Sequence, residues 1–202
     1  MWNTYSRQFV MRVILLEGGL VGVAVIWGWL QAIPWHNNLT PTLTNCGAGV
    51  LAGLILLALN YVIVEYGSRY NAYFRTLKQL IDQDVSPIFR HIVLPAVIFI
   101  AIISGVAEEI FFRGVLQAQF GLWLASAMFG LAHVWRKAAF VYGVYAAIIG
   151  VFFGLMYRLS GNLWVPILAH VVNNFFAIVY YTHRAPTPTS SVRGEQRERI
   201  DL

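Results

Sequence analysis

The 202-residue sequence predicts an all-α fold: a polytopic membrane bundle of about six transmembrane helices with an amphipathic helix at the interface. Three observations predict it. Apolar residues make up 58% of the chain and charged residues 11%, with a mean hydropathy of +0.64, a balance outside the usual soluble range. Several uncharged stretches are long enough to cross a hydrocarbon core of about 30 Å, which takes roughly 20 helical residues. Lipid offers no hydrogen-bond partners to open backbone groups, so helices must do the crossing.

The first span runs from Arg12 to Ile33. Arg7 and Arg12 give it the look of a signal peptide, but its apolar run is too long and no clear small-x-small cleavage site follows, so it reads as a retained helix. The second, Thr44 to Glu65, holds the single cysteine, Cys46, which can form no intramolecular disulfide and receives no role. After it, Tyr70, Tyr73, Phe74, Leu77, Leu80 and Ile81 recur at helical spacing, with Arg69, Arg75 and Lys78 off the stripe. This predicts an amphipathic helix, lying along the cytoplasmic interface or capping the bundle without touching lipid. Asp84, Ser86 and Pro87 supply the break before the third span, Phe89 to Ala118.

The remaining spans are Gly121 to Trp135, Ala138 to Tyr157 and Leu163 to Tyr181. In the fifth, Ala146, Gly150 and Gly154 form a small-xxx-small row that admits a neighbouring backbone. One membrane domain over 1–184 accounts for the chain, followed by a Pro-, Ser- and Arg-rich tail, 185–202, expected to be disordered. Trp27, Trp29, Trp164, Tyr180 and Tyr181 fit interfacial belts better than a substrate cage.

The formal charge of +5 does not call for a nucleic-acid partner, because the basic residues are scattered between apolar runs with no base-stacking module beside them. Orientation explains them more simply. With both termini in the cytoplasm, every Lys and Arg except Arg113 and Arg158 falls on the cytoplasmic side, as the positive-inside rule requires. The expected location is the cell inner or plasma membrane.

The uncharged run from Ile92 to Ala107 leads directly into Glu108, Glu109 and Arg113. A charge at a helix centre costs roughly 2.5–3.5 kcal/mol on insertion scales, so a functional role is the default expectation, with interfacial capping as the plainer one. Adjacent Glu108 and Glu109 point about 100° apart, whereas Glu109 and Arg113 share a face at i, i+4. Glu109 and Arg113 are therefore expected to form a structural ion pair, leaving Glu108 for chemistry.

Depth agrees with that division. If residues 119–121 turn the chain, Glu108 and His133 both lie roughly 18 Å from the turn at about 1.5 Å per residue. A second turn at Ser160 and Gly161 places His170 roughly 14 Å from the same side. His170 and Asn174 share a helical face, as do Phe129 and His133. Asn173 points about 100° away from Asn174. Glu17 either lines the cavity or snorkels from near a helix end.

Three blocks carry a resemblance: Glu108-Glu109-Ile-Phe-Phe-Arg113-Gly114, then Phe129-Gly-Leu-Ala-His133, then a stretch from Gly161 through Pro166 to His170 and Asn174. In order and spacing they resemble the CAAX-protease and bacteriocin-processing family (CPBP, or Abi), which includes the Rce1-type prenyl-protein endopeptidases. The resemblance covers about 89–181, and nothing in the motifs departs from the pattern. It implies cleavage of a peptide bond in a membrane-associated peptide or protein, inside the lipid bilayer. By the same resemblance Glu108 activates water, His133 helps hold it, His170 and Asn174 stabilise the oxyanion, and Phe129 packs the motif. No cofactor or metal is expected. The larger eukaryotic members have additional helices, so specificity for prenylated C-termini does not carry over.

Two alternatives stay open at this point. Glu108, His133 and His170 could be zinc ligands, since two histidines and a carboxylate can make a catalytic site. The chain could also be a non-catalytic immunity or scaffold protein that keeps the fold and binds partners.

Overall fold

A computed structural model describes residues 3–183. The tail expected to be disordered and the side chain of Tyr181 lie outside the described residues. Helix α1, Thr4–Leu30, begins eight residues earlier than its apolar run suggests, because Asn3 caps it and accepts from the Ser6 amide. Helix α2, Leu43–Tyr61, is capped by Thr42 and continues through a π turn, Val62–Tyr66, to Tyr70. Helix α3, Ala72–Leu80, continues through a second π turn, Ile81–Val85, to Phe89. Helix α4, Leu94–Glu109, runs into a third π turn, Ile110–Leu116. Helices α5, Gln117–Ala132, α6, Phe140–Ser160, and α7, Trp164–His183, complete the described chain.

Among the described residues four helices are long and apolar enough to cross a membrane: Thr4–Leu30, Leu43–Tyr70, Leu94–Ala132 and Lys137–Ser160, with Trp164–Tyr180 as a shorter apolar helix. The third of these is two rods. Gly121, at φ 80° and ψ 171°, breaks it in a conformation that a residue with a Cβ rarely adopts. The six apolar segments read from the sequence are thus all present. Gly161, at φ 63°, closes α6 in the left-handed region and turns the chain into α7. Outward faces are apolar: Leu15, Leu16, Trp29, Trp123 and Leu131 are each at least two-thirds exposed, a surface that suits lipid and not water.

Two expectations about the connection between spans two and three need correction. Tyr70 does not belong to the amphipathic stripe. It is 85% exposed, because Asn71 caps α3 and starts that helix only at Ala72. The buried stripe is Leu77, Leu80 and Ile81; Leu77 and Ile81 pack on Val64 and Tyr145, so α3 caps the bundle with its apolar face. Nor does the break fall at Asp84, Ser86 and Pro87. Pro87 sits in the first turn of a short helix, Ser86–Phe89, where its missing N–H costs nothing, and the chain breaks instead over residues 90–93.

Side chains tie the two ends of the bundle. At one end Asn3 and Ser6 donate to the His91 carbonyl, Tyr73 donates to the Val141 carbonyl, and Arg136 pairs with Asp84. At the other, Asn162 donates to the Thr40 carbonyl, Trp164 to the Leu39 carbonyl, and Asn38 to the Tyr157 hydroxyl. Trp164 is thereby held by a protein partner as well as by any interface.

Helices α5 and α6 meet at glycines. A Cβ on Gly130 would overlap the Gly143 carbonyl oxygen and lie 2.6 Å from the Ala147 Cβ. A backbone oxygen cannot rotate aside, so the helices would have to separate. Gly130→Ala is expected to lower stability by about 1–3 kcal/mol, the usual cost of overpacking. Unfolding followed in detergent checks this, and an unchanged midpoint would mean that the two helices do not approach at this point.

Candidate active site

The site is assembled where α4, α5, α6 and α7 converge. Glu109 and Arg113 face inward, with side chains 0% and 1% exposed, and Arg113 Nη1 lies 2.9 Å from Glu109 Oε1. The other guanidinium arm, Nη2, donates to the Gly150 carbonyl at 2.9 Å. The guanidinium also lies over the Phe129 ring at 4.5 Å and the Phe153 ring at 5.4 Å, favourable cation–π geometry. One turn on, Gln117 repeats the device and donates to the Gly154 carbonyl at 2.9 Å.

The small-residue row of α6 therefore does more than pack. Without side chains at Gly150 and Gly154, polar groups of α4 and α5 reach the α6 backbone. The sequence offered only the small-xxx-small spacing; Gln117 carried no motif to mark it.

His170, buried at 4% exposure, brings Nδ1 to 2.8 Å from Glu109 Oε1. That oxygen cannot donate when ionised, so the imidazole donates Nδ1–H and presents Nε2 elsewhere. Phe153 stacks on its ring at 4.7 Å. Glu109 is thus shared by Arg113 and His170, a link beyond the simple pair that helical spacing suggests. Nothing within one helix could have shown it, since 61 residues separate the partners.

Glu108 turns the other way. Its side chain is 14% exposed and its Oε2 lies 4.0 Å from His133 Nε2. That same oxygen is buried and has no hydrogen-bond partner. His133 is not inside a helix as the depth argument placed it: α5 stops at Ala132 and His133 is its C-cap. From Gly121 to that end the rod is only about 16 Å long at about 1.5 Å per residue, so it dips partway and delivers His133 at its tip. There His133 Nδ1 is 2.7 Å from the Phe129 carbonyl oxygen, which fixes Nδ1 as the donor and leaves Nε2 as an acceptor toward Glu108.

Phe129 joins the two halves. Its ring contacts His133 at 4.6 Å, Phe112 at 5.0 Å and His170 at 6.0 Å.

Asn174 is half-buried, and its Nδ2 reaches the Ser104 hydroxyl at 3.3 Å, one turn before Glu108 on α4. Asn173, expected to point away, is drawn into the same network. Its Nδ2 lies 3.4 Å from Asn174 Oδ1, while its Oδ1 accepts from Asn60 at 2.8 Å. Tyr145 donates to Asn60 Oδ1 at 2.5 Å. These amides line one wall of a cavity of about 210 Å³, whose other walls include Val64, Ile81, Phe89 and Ile149. Asn60 lies in the second span, where no motif marks it.

Glu17 also needs correction as a snorkelling residue. Because α1 begins at Thr4, Glu17 lies near mid-helix, and it is 6% exposed with Oε2 buried and unpartnered.

A zinc site built from Glu108, His133 and His170 does not fit. Among the described residues no group of three or more His, Cys, Asp or Glu side chains converges as a metal would require.

Comparison with known proteins falls on this region. Residues 90–176 match the family model described as Type II CAAX prenyl endopeptidase Rce1-like. A Bacillus subtilis (strain 168) protein named "Uncharacterized protein YpbD" is 39% identical over 85 residues, which cover 42% of this chain and 45% of the relative. "Putative membrane peptidase YdiL" of the same strain is 27% identical over 100 residues, covering 50% of this chain and 35% of the relative. The chain therefore spans less than half the length of each of these curated relatives. No solved structure matches.

Proposed function

From a segment that is Rce1-like over residues 90–176, we propose that this chain is an intramembrane endopeptidase that hydrolyses a peptide bond of a membrane-associated protein or peptide with a water activated by Glu108. The observation that carries the reading is the pairing of Glu108 Oε2 with His133 Nε2 at 4.0 Å. Both atoms accept hydrogen bonds. A water between them has its two protons directed at two acceptors and its lone pairs free for a carbonyl carbon.

Glu108 takes the proton as the water attacks and later gives it to the leaving amine, the ordinary cycle of a general base that becomes a general acid. The oxyanion that forms is met by the second Nδ2 proton of Asn174 and by His170 Nε2 in its protonated form. One such donor is worth about 2.7–4 kcal/mol in other enzymes. Glu109 and Arg113 do not touch substrate in this scheme; Glu109 fixes the orientation of the His170 ring through Nδ1, and Arg113 holds Glu109.

The cavity beside Asn174 includes Val85 and Ser86 in its lining, next to Asp84, which pairs with Arg136 at one end of the bundle. With the basic loops on the cytoplasmic side, that end faces the cytoplasm of an inner or plasma membrane, as do both termini. The bilayer is the second partner, supported by the apolar outer faces. The test compares membrane-proteome peptide ends in a deletion strain rescued by wild type or by Glu108→Gln. Ends that depend on the carboxylate are the expected result and name the substrates; identical ends in both rescues would refute the proposal.

A further inference from the structure

Glu17 is the one buried carboxylate on α1, a helix whose neighbouring residues Leu15 and Leu16 are about 70% exposed. Its level in the bundle follows from packing. Val13, one turn before it, packs with Val10 on Ala96 and Ile100. Leu20, nearly one turn after it, packs with Phe111 on the Phe112 cluster. Helices α1 and α4 run in parallel, with Ser6 beside Val93 at one end and Trp27 bonded to Gln119 at the other. Glu17 therefore faces the stretch of α4 between Ile100 and Phe111, which contains Ser104 and Glu108.

Two further observations couple the two carboxyls. Glu17 Oε2 and Glu108 Oε2 are both fully buried and both lack a hydrogen-bond partner. The two side chains also interact electrostatically, Glu108 being the charged neighbour felt at Glu17. The other groups around them place no hydrogen-bonded cation on either carboxyl, although Arg113 lies within electrostatic reach of Glu108. Glu109 and Arg113 on the continuation of α4 are turned to α6 and to each other. His133 of α5 commits Nδ1 to the Phe129 carbonyl, and Tyr142 of α6 is uncharged.

We propose that Glu17 is a positioning residue for Glu108, the two buried carboxyls together retaining a single proton. Two like charges buried near one another resist being ionised together, as in carboxylate dyads generally. The inference rests on the peptidase reading. With the shared proton on Glu17, Glu108 is the ionised member and its free oxygen is aimed at the water.

The proton count closes over the cycle. As the water attacks, its O–H bond breaks and the proton passes to Glu108. The new C–O bond forms, the carbonyl electron pair moves to oxygen, and both carboxyls are neutral. On collapse the carbonyl re-forms, the C–N bond breaks, and the Glu108 proton goes to the amine nitrogen. The pair is left again with one proton. Glu17 never contacts the substrate, and it lies outside the segment that matches the peptidase family.

The test has one arm that needs no substrate. Infrared spectra of the purified full chain in detergent at neutral pH should show the C=O stretch of a protonated carboxylic acid. That band should vanish in Glu17→Gln and shift in Glu108→Gln. Absence of the band in wild type, or a band indifferent to Glu108→Gln, would overturn the shared proton. In the second arm, Glu17→Gln should lower kcat about a hundredfold, the low end for a group that governs proton transfer, with KM unchanged and the pH profile altered. A folded Glu17→Gln enzyme with wild-type kcat and pH profile would overturn the proposal equally. Wild type inactive on every candidate peptide counts against the peptidase reading alone, since the infrared arm still decides the carboxyl pair.

Discussion

Replacing Glu108 by Gln is expected to reduce turnover of a substrate peptide by about 10²–10⁴-fold, the range that a positioned general base contributes, while leaving the fold in place. The separation of the two effects follows from the site. Glu108 Oε2 has no hydrogen-bond partner, so the amide removes no contact. It also removes a buried carboxylate, a group that costs roughly 2.5–3.5 kcal/mol at the centre of a membrane helix on insertion scales. Stability should therefore be unchanged or slightly higher. Single-turnover cleavage and unfolding in detergent check the two halves. Undiminished cleavage would remove Glu108 from the chemistry; loss of folding would make it a structural residue.

Arg113→Met should do the reverse and act through stability. Among the described residues Arg113 is the largest fully buried side chain, and its removal strands Glu109, itself 0% exposed, with His170 Nδ1 as its remaining partner. It also frees the Gly150 carbonyl and empties the space between the Phe129 and Phe153 rings. Breaking one side of a buried ion pair costs about 3–5 kcal/mol. Adding Glu109→Gln should recover part of that loss, because the uncompensated charge is then gone and the Gln oxygen still accepts from His170. A midpoint for Arg113→Met within experimental error of wild type would show that the pair does not hold α4 to α6.

The contrast between these two glutamates was the part of the site most legible in the sequence. Helical geometry alone turns Glu108 and Glu109 apart and puts Arg113 under Glu109. The six apolar rods were legible as well, because span length and turn chemistry at Gly121 and Ser160–Gly161 are local properties. Whatever depends on distant chain segments was not. His170 on Glu109, Asn60 on Asn173 and Arg113 on the Gly150 carbonyl join residues 37 to 113 positions apart.

Helix ends misled in two places for one reason: hydropathy marks where a chain is apolar, whereas caps mark where a helix starts. Asn3 moved the start of α1 and with it the depth of Glu17. Asn71 moved the start of α3 and left Tyr70 outside. The π turn at Ile110–Leu116, directly after the two glutamates, has no sequence signature that periodicity could read. Such turns recur at functional sites, and this one lies where Arg113 must reach α6.

The proposed hydrolysis depends on one water held jointly by Glu108 and His133. The direct measurement is a double-mutant cycle on cleavage with Glu108→Gln and His133→Ala. If both side chains act on the same water, the double variant should be no slower than the slower single variant. Rate losses that multiply would show two independent functions and contradict the shared water.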